Sequence, residues 1–123
     1  MSARSILVAD DEADNRAIMA AVLTASGYRV LEARDGAEAV EAALRETPDL
    51  ILLDMAMPIM SGWEAVRRLK GMERTRAIPI LAFTAFALAG DELKAREAGC
   101  DGYISKPCVP NDVVKKIREQ VGG

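Results

Sequence analysis

Five times along this chain a short apolar run rich in strand-forming residues gives way to a longer segment of helical spacing, and few folds accommodate that alternation. The runs lie near Ser5–Ala9, Tyr28–Ala33, Leu50–Leu53, Ile78–Phe83 and Gly102–Ser105. Strands separated by helix-length segments pair in parallel, with the helices crossing over both faces of the sheet. The first and third runs contain ILVA and LILL, which are apolar throughout, as expected of strands buried on both sides. They are expected to be neighbours in the middle of the sheet. The second run, YRVLEA, alternates charged with apolar positions and belongs nearer an edge.

Between the runs, Ile18, Ala21, Val22 and Ala25 recur at helical spacing and predict an apolar helix face that stops at Gly27. Asp35 and Glu38 stand in the relation of a capping box, opening a second helix with Ala39, Val40, Ala43 and Leu44 on its apolar side. Trp63, Val66, Arg67 and Leu69 outline a third helix, Leu88–Ala98 a short fourth closed by Gly99, and Val113, Val114, Ile117 and Val121 a fifth. A chain of 123 residues suffices for one hydrophobic core but not for a second beside it, so one domain over residues 1–123 is expected.

Charge and composition narrow the function. A formal net charge of -3 and the absence of a Lys/Arg run at either end offer nothing to a phosphate backbone or an anionic lipid surface, so neither nucleic acid nor membrane is an expected partner. The apolar stretch near the amino terminus is too short for a signal peptide or a membrane span, and a cytoplasmic location is expected. Cys100 and Cys108 lack the CxxC spacing of a redox or zinc site and read as free thiols. The sequence has no histidine. That removes Ser-His-Asp chemistry, histidine-ligated zinc and self-phosphorylation on an imidazole.

In an open parallel sheet, ligands bind beyond the carboxyl ends of the strands, and the residues expected there form a coherent set. Asp10, Asp11 and Glu12 follow the first run, Asp54 the third, Thr84 the fourth, and Lys106 with Pro107 the fifth. Carboxylates converging at the ends of two buried strands repel one another unless a cation neutralises them. Hard oxygen donors without soft ligands suit Mg²⁺ or Mn²⁺. Lys106 and Thr84 would add a point charge and a hydroxyl donor for the oxygens of a phosphoryl group, whose transfer needs an in-line nucleophile and positive charge more than covalent assistance. A carboxylate can serve as that nucleophile.

The segments ILVADDE, LLDMAMPIMSG, AFTA and GYISKP, in this order and spacing, resemble the response-regulator receiver family over essentially the whole chain. The resemblance implies a doubly wound (βα)5 fold of the flavodoxin-like α/β class, with strand order 2-1-3-4-5. It implies that Asp54 is the phosphoacceptor, that Asp11 ligates Mg²⁺ directly and Asp10 largely through water, and that the backbone carbonyl of Ala56 completes the protein ligands. Lys106 would pair with Asp54 and then with the phosphoryl group, across a cis bond to Pro107. Thr84 would move onto a phosphoryl oxygen, and Tyr103 would turn inward, reshaping the surface of the fourth helix, fifth strand and fifth helix. The implied partners are a histidine kinase or histidine phosphotransfer protein and a downstream protein on that surface, the receiver itself being a monomer or weak dimer. It would be an enzyme only in promoting its own phosphorylation and dephosphorylation.

In such a family Ala56 and Phe86 occupy the positions that govern access of water to the acyl phosphate. Neither side chain can orient a water, so a long-lived phosphoryl-aspartate is expected. Other residues have plainer readings. Glu12 is a helix-start charge or outer support, Trp63 a packing anchor, Met55, Met57 and Met60 gap fillers, and Arg67, Arg68, Arg74 and Arg76 a solvated surface. Competing functions are an adaptor with this fold that works without phosphorylation, a flavin carrier, and a phosphatase using Asp10 or Asp11 as nucleophile. The acidic DDEAD loop opposes flavin phosphate binding.

Overall fold

Successive residues of a strand point to opposite sides of its sheet, so each apolar run supplies two faces at once. The computed structural model describes residues 4–55, 60–84, 91–105 and 110–121. Its strands are β1 (Ser5–Ala9), β2 (Arg29–Ala33), β3 (Leu50–Asp54), β4 (Ile80–Thr84) and β5 (Gly102–Ser105), and its helices α1 (Ala13–Ala25), α2 (Gly36–Glu46), α3 (Gly62–Lys70), α4 (Asp91–Ala98) and α5 (Pro110–Val121). All strand pairs are parallel, in the order β2-β1-β3-β4-β5. The doubly wound α/β sheet and its expected strand order are therefore present.

Alternate residues divide the core. Leu7, Ile51, Leu53 and Ile80 pack with α2 and α3 on one face, while Ile6, Leu50, Leu52 and Leu81 pack with α1 and α5 on the other. β1 and β3 are buried from Ile6 to Ala9 and from Leu50 to Asp54, as their unbroken apolar runs required.

Several boundaries and faces differ from the sequence reading. Tyr28 is not in β2, because its N–H closes the end of α1 on the Leu23 carbonyl, with Gly27 at φ 96° making the turn. Ile78 is not in β4. Its N–H turns back to Thr75, and Pro79 has no N–H to offer a neighbouring strand. Asp54 and Thr84 are the last residues of their strands rather than the first beyond them. The predicted start of the fourth helix at Leu88 lies outside the described residues.

On α1 the buried side chains are Met19 and Leu23, with Val22 half-buried; Ile18 is 55 % exposed, and Ala21 and Ala25 are exposed too. This helix is apolar on more than one side, so periodicity selected a face about one residue out of register. The capping box of α2 is also altered. Asp35 accepts from the Glu38 N–H at 2.8 Å, but the Glu38 carboxylate accepts from the N–H of Arg34.

At the amino-terminal edge of the sheet, two aspartates replace missing ladder partners. Asp49 Oδ2 accepts from the Ser5 N–H at 2.7 Å, while the Asp49 N–H donates to the Ser5 carbonyl at 2.8 Å. Asp101 repeats the arrangement with Ile80, both bonds being 2.8 Å. Lys70 extends that second knot, its Nζ donating to Asp101 Oδ2 and to the carbonyls of Arg76 and Ile78. Cys100, just before Asp101, is a buried free thiol. Burial, then the negative charge of Asp101, pushes its pKa up to about 11, with Lys70 opposing.

Candidate functional site

Two neighbouring strands buried to their last residues deliver whatever ends or follows them to one small area. The β1–β3 ladder closes on Ala9 opposite Leu53, and one further step sets Asp10 beside Asp54. Both are buried, at 4 % and 5 % exposure, whereas Asp11 faces solvent. One carboxylate oxygen from each of Asp10, Asp11 and Asp54 lies within 4.8 Å of the others. Two unit charges at such a separation repel by about 3 kcal/mol at an effective dielectric constant of about 20.

Backbone contacts hold this cluster in place. The Asp10 N–H donates to the Ala33 carbonyl at 3.1 Å, extending the ladder past β1. Its Oδ1 accepts from the Glu12 N–H at 2.9 Å, and its carbonyl accepts from Arg16 Nη1 at 2.8 Å. Beyond Asp54, the Met55 N–H donates to Phe83 and the Met55 carbonyl accepts from Gly62. Gly62 has no room for a side chain, since a Cβ there would stand 2.6 Å from the Asp54 carbonyl oxygen. A Cβ on Gly36 would collide with the Met60 carbonyl oxygen. These two glycines let the starts of α3 and α2 close down on the segment that follows Asp54.

The donor set fits a small divalent cation. Two ligands on one Mg²⁺ sphere of about 2.1 Å radius are at most about 4.2 Å apart, close to the spacing of these oxygens. All are carboxylates, with no soft donor among them. Asp10, Asp11 and Asp54 could therefore hold such an ion.

The remaining expected site residues divide into those described and those outside. Thr84 ends β4 opposite Ser105, but its side chain, together with Ala56, Phe86, Lys106 and Pro107, lies outside the described residues. Tyr103 is half-buried in β5 opposite Ala82 and packs against the core on the α2–α3 side. Trp63 packs on the same core, and Met55 is buried within it. Glu12 is the residue before α1 and accepts from Asn15 Nδ2 at 3.2 Å; it does not join the carboxylate cluster. The sequence reading passed over Arg16 and Gly36; a guanidinium about one turn after the acidic triplet was the signal that could have found the former, and Gly36 had none. No helix of the described residues is long and apolar enough to cross a membrane.

The family profile described as "Response regulator receiver domain" matches residues 6–118. The polar-differentiation response regulator DivK of Brucella ovis is 39 % identical over 119 residues, covering 97 % of each chain. Among solved structures, the receiver domain of a sensor histidine kinase from Pseudomonas aeruginosa is 34 % identical with a TM-score of 0.91, over 99 % of this chain and 100 % of that one. In that protein a magnesium ion is coordinated in the active-site cleft. A chemotaxis protein of Vibrio cholerae is 28 % identical with a TM-score of 0.91, over 97 % of this chain and 99 % of that one.

Proposed function

The chain belongs to the response-regulator receiver family of two-component signalling, and on that premise we propose that it accepts a phosphoryl group on Asp54 from a phosphohistidine of a partner protein. The observation that carries the reading is the buried Asp54 carboxylate at the end of β3, with oxygens of Asp10 and Asp11 within 4.8 Å. In the reaction, an Asp54 oxygen attacks phosphorus as the bond to the donor nitrogen breaks, and the bonding electrons leave with the donor imidazole. Asp10, Asp11 and Asp54, with the Ala56 carbonyl that the family resemblance adds, would hold Mg²⁺, which when bound would supply positive charge for the phosphoryl oxygens. Magnesium in the cleft of the similar Pseudomonas receiver supports that choice of ion. Lys106 and Thr84 meet the remaining oxygens, and the acyl phosphate persists because Ala56 and Phe86 cannot orient a water.

Phosphorylation then shifts a two-state equilibrium in which Thr84 and Tyr103 remodel the α4-β5-α5 surface for a downstream protein. The donor is a histidine kinase or a histidine phosphotransfer protein in the cytoplasm, and the receiver acts as a signalling switch rather than as an enzyme on other substrates. The test is incubation with a small-molecule phosphodonor and Mg²⁺, read by intact mass. An adduct that maps to Asp54 and disappears in Asp54→Asn is the expected result. An adduct retained in Asp54→Asn would move the nucleophile to another residue such as Asp10 or Asp11, whereas no adduct in wild type, with output unaffected by Asp54→Asn, would move the function to the phosphorylation-independent adaptor.

A further inference from the structure

Arg16 is an arginine with only 15 % of its side chain exposed, one turn into α1, and its guanidinium spans two acceptors, a neutral carbonyl and a carboxylate. Nη1 donates to the Asp10 carbonyl at 2.8 Å, and Nε lies 3.4 Å from Glu32 Oε1 on β2. Its own N–H donates to the Glu12 carbonyl, so α1 is tied to the acidic segment by main chain and side chain together. From these contacts we infer that Arg16 is a positioning residue that locks the Asp10 peptide, and through it the Asp10 carboxylate, in the geometry that binds the divalent cation. The inference rests on the metal-dependent reading given above.

The backbone of Asp10 is held on both sides. Its N–H is fixed to β2 through Ala33, its carbonyl to α1 through Arg16, and its Oδ1 to the Glu12 N–H. Three bonds to one residue leave its carboxylate little freedom to swing away from Asp11 and Asp54 when their charges repel. Without Arg16 the carbonyl end of that peptide loses its side-chain anchor, and the carboxylate can relax away from the cluster before any ion arrives. A guanidinium near a cation site also acts in the opposite sense, since its charge disfavours a second cation. Glu32 offsets that charge on the far side. The two roles predict opposite signs for removal of the guanidinium: weaker cation binding if Arg16 positions Asp10, tighter binding if it acts by charge.

The experiment is Mg²⁺ titration of the full chain by calorimetry, with wild type, Arg16→Gln, Arg16→Lys and Glu32→Gln. Arg16→Gln is expected to weaken binding about tenfold, the low end of what loss of an outer partner costs a metal site. Arg16→Lys, which keeps one donor to the carbonyl, should recover most of the affinity, and Glu32→Gln should change it by less than about threefold. The amide resonance of Glu12, donor to Asp10 Oδ1, should shift in Arg16→Gln before any metal is added. Unchanged or tighter binding in Arg16→Gln, with wild type binding normally, overturns the role of Arg16 alone. Wild type that takes up no Mg²⁺ overturns the metal reading and this inference with it. Should Arg16→Gln fail to fold, Arg16→Met, which keeps the apolar stem but has no donor for the Asp10 carbonyl, decides: a loss of about tenfold supports the positioning role, and an unchanged or tighter affinity overturns it.

Discussion

Asp49 and Asp101 stand where the chain enters the sheet, and Asp10 and Asp54 where it leaves. At the entering edge each carboxylate accepts a backbone N–H of the neighbouring strand's first residue, Ser5 in one case and Ile80 in the other. At the leaving edge the carboxylates face one another across less than 4.8 Å. One residue type thus caps backbone donors at one end and at the other sets like charges side by side, where a cation could hold them. The entering edge helps hold the strands in register, and the leaving edge gathers the carboxylates on which the proposed function rests.

Neutralising an aspartate should consequently have opposite signs at the two edges. The largest effect is expected for Asp101→Ala, which strips the Ile80 N–H of its acceptor and Lys70 of its counter-ion; denaturant unfolding should show a loss of about 3 kcal/mol. Asp49→Ala removes the side-chain bond to the Ser5 N–H and should cost about 2 kcal/mol. Asp54→Asn should instead raise stability by about 1 kcal/mol in metal-free buffer, because it relieves repulsion within the cluster. In the same experiment, saturating Mg²⁺ should stabilise wild type more than Asp54→Asn. A destabilised, metal-free Asp54→Asn would break the contrast between the edges.

Away from the aspartates, Thr47 ends α2 at φ 42°, in the left-handed region, and Thr47→Gly should stabilise by about 0.5 kcal/mol in the same assay. The smallest effect at neutral pH, where it vanishes, concerns Cys100. Its folded pKa, about 11, lies above the ordinary 9.0, so the folded state keeps the thiol proton where the unfolded state loses it. The associated stability is complete below pH 9 and is lost as pH rises towards 11. The stability difference between wild type and Cys100→Ala should therefore stay constant up to about pH 9 and narrow above it, because only wild type loses this contribution; melting curves across pH check it.

Much of this architecture could be read from residue order alone. The unbroken apolar character of β1 and β3 named them as central neighbours, and that adjacency alone brings Asp10 to Asp54. The Asp35 cap of α2 and the turn at Gly27 were equally local, since their partners lie within a few residues. Where several local patterns were equivalent, the sequence left the outcome open. α1 offered apolar residues on more than one side, and packing against β1 and α5 chose Met19 and Leu23, leaving Ile18 in solvent. Pro79 displaced the start of β4 although Ile78 beside it is a good strand former.

The sequence by itself determined the parallel αβ alternation, the central strands and the acidic residues at their carboxyl ends. These follow from periodicity and from where a strand must stop, both local properties of the chain. Tertiary structure alone decided that Asp49 finds Ser5 across 44 positions and Asp101 finds Ile80 across 21, and that Arg16 reaches both Asp10 and Glu32. A carboxylate or guanidinium carries no mark of its distant partner, because the energy of each such bond exists only after the strands have paired and brought the two groups within reach.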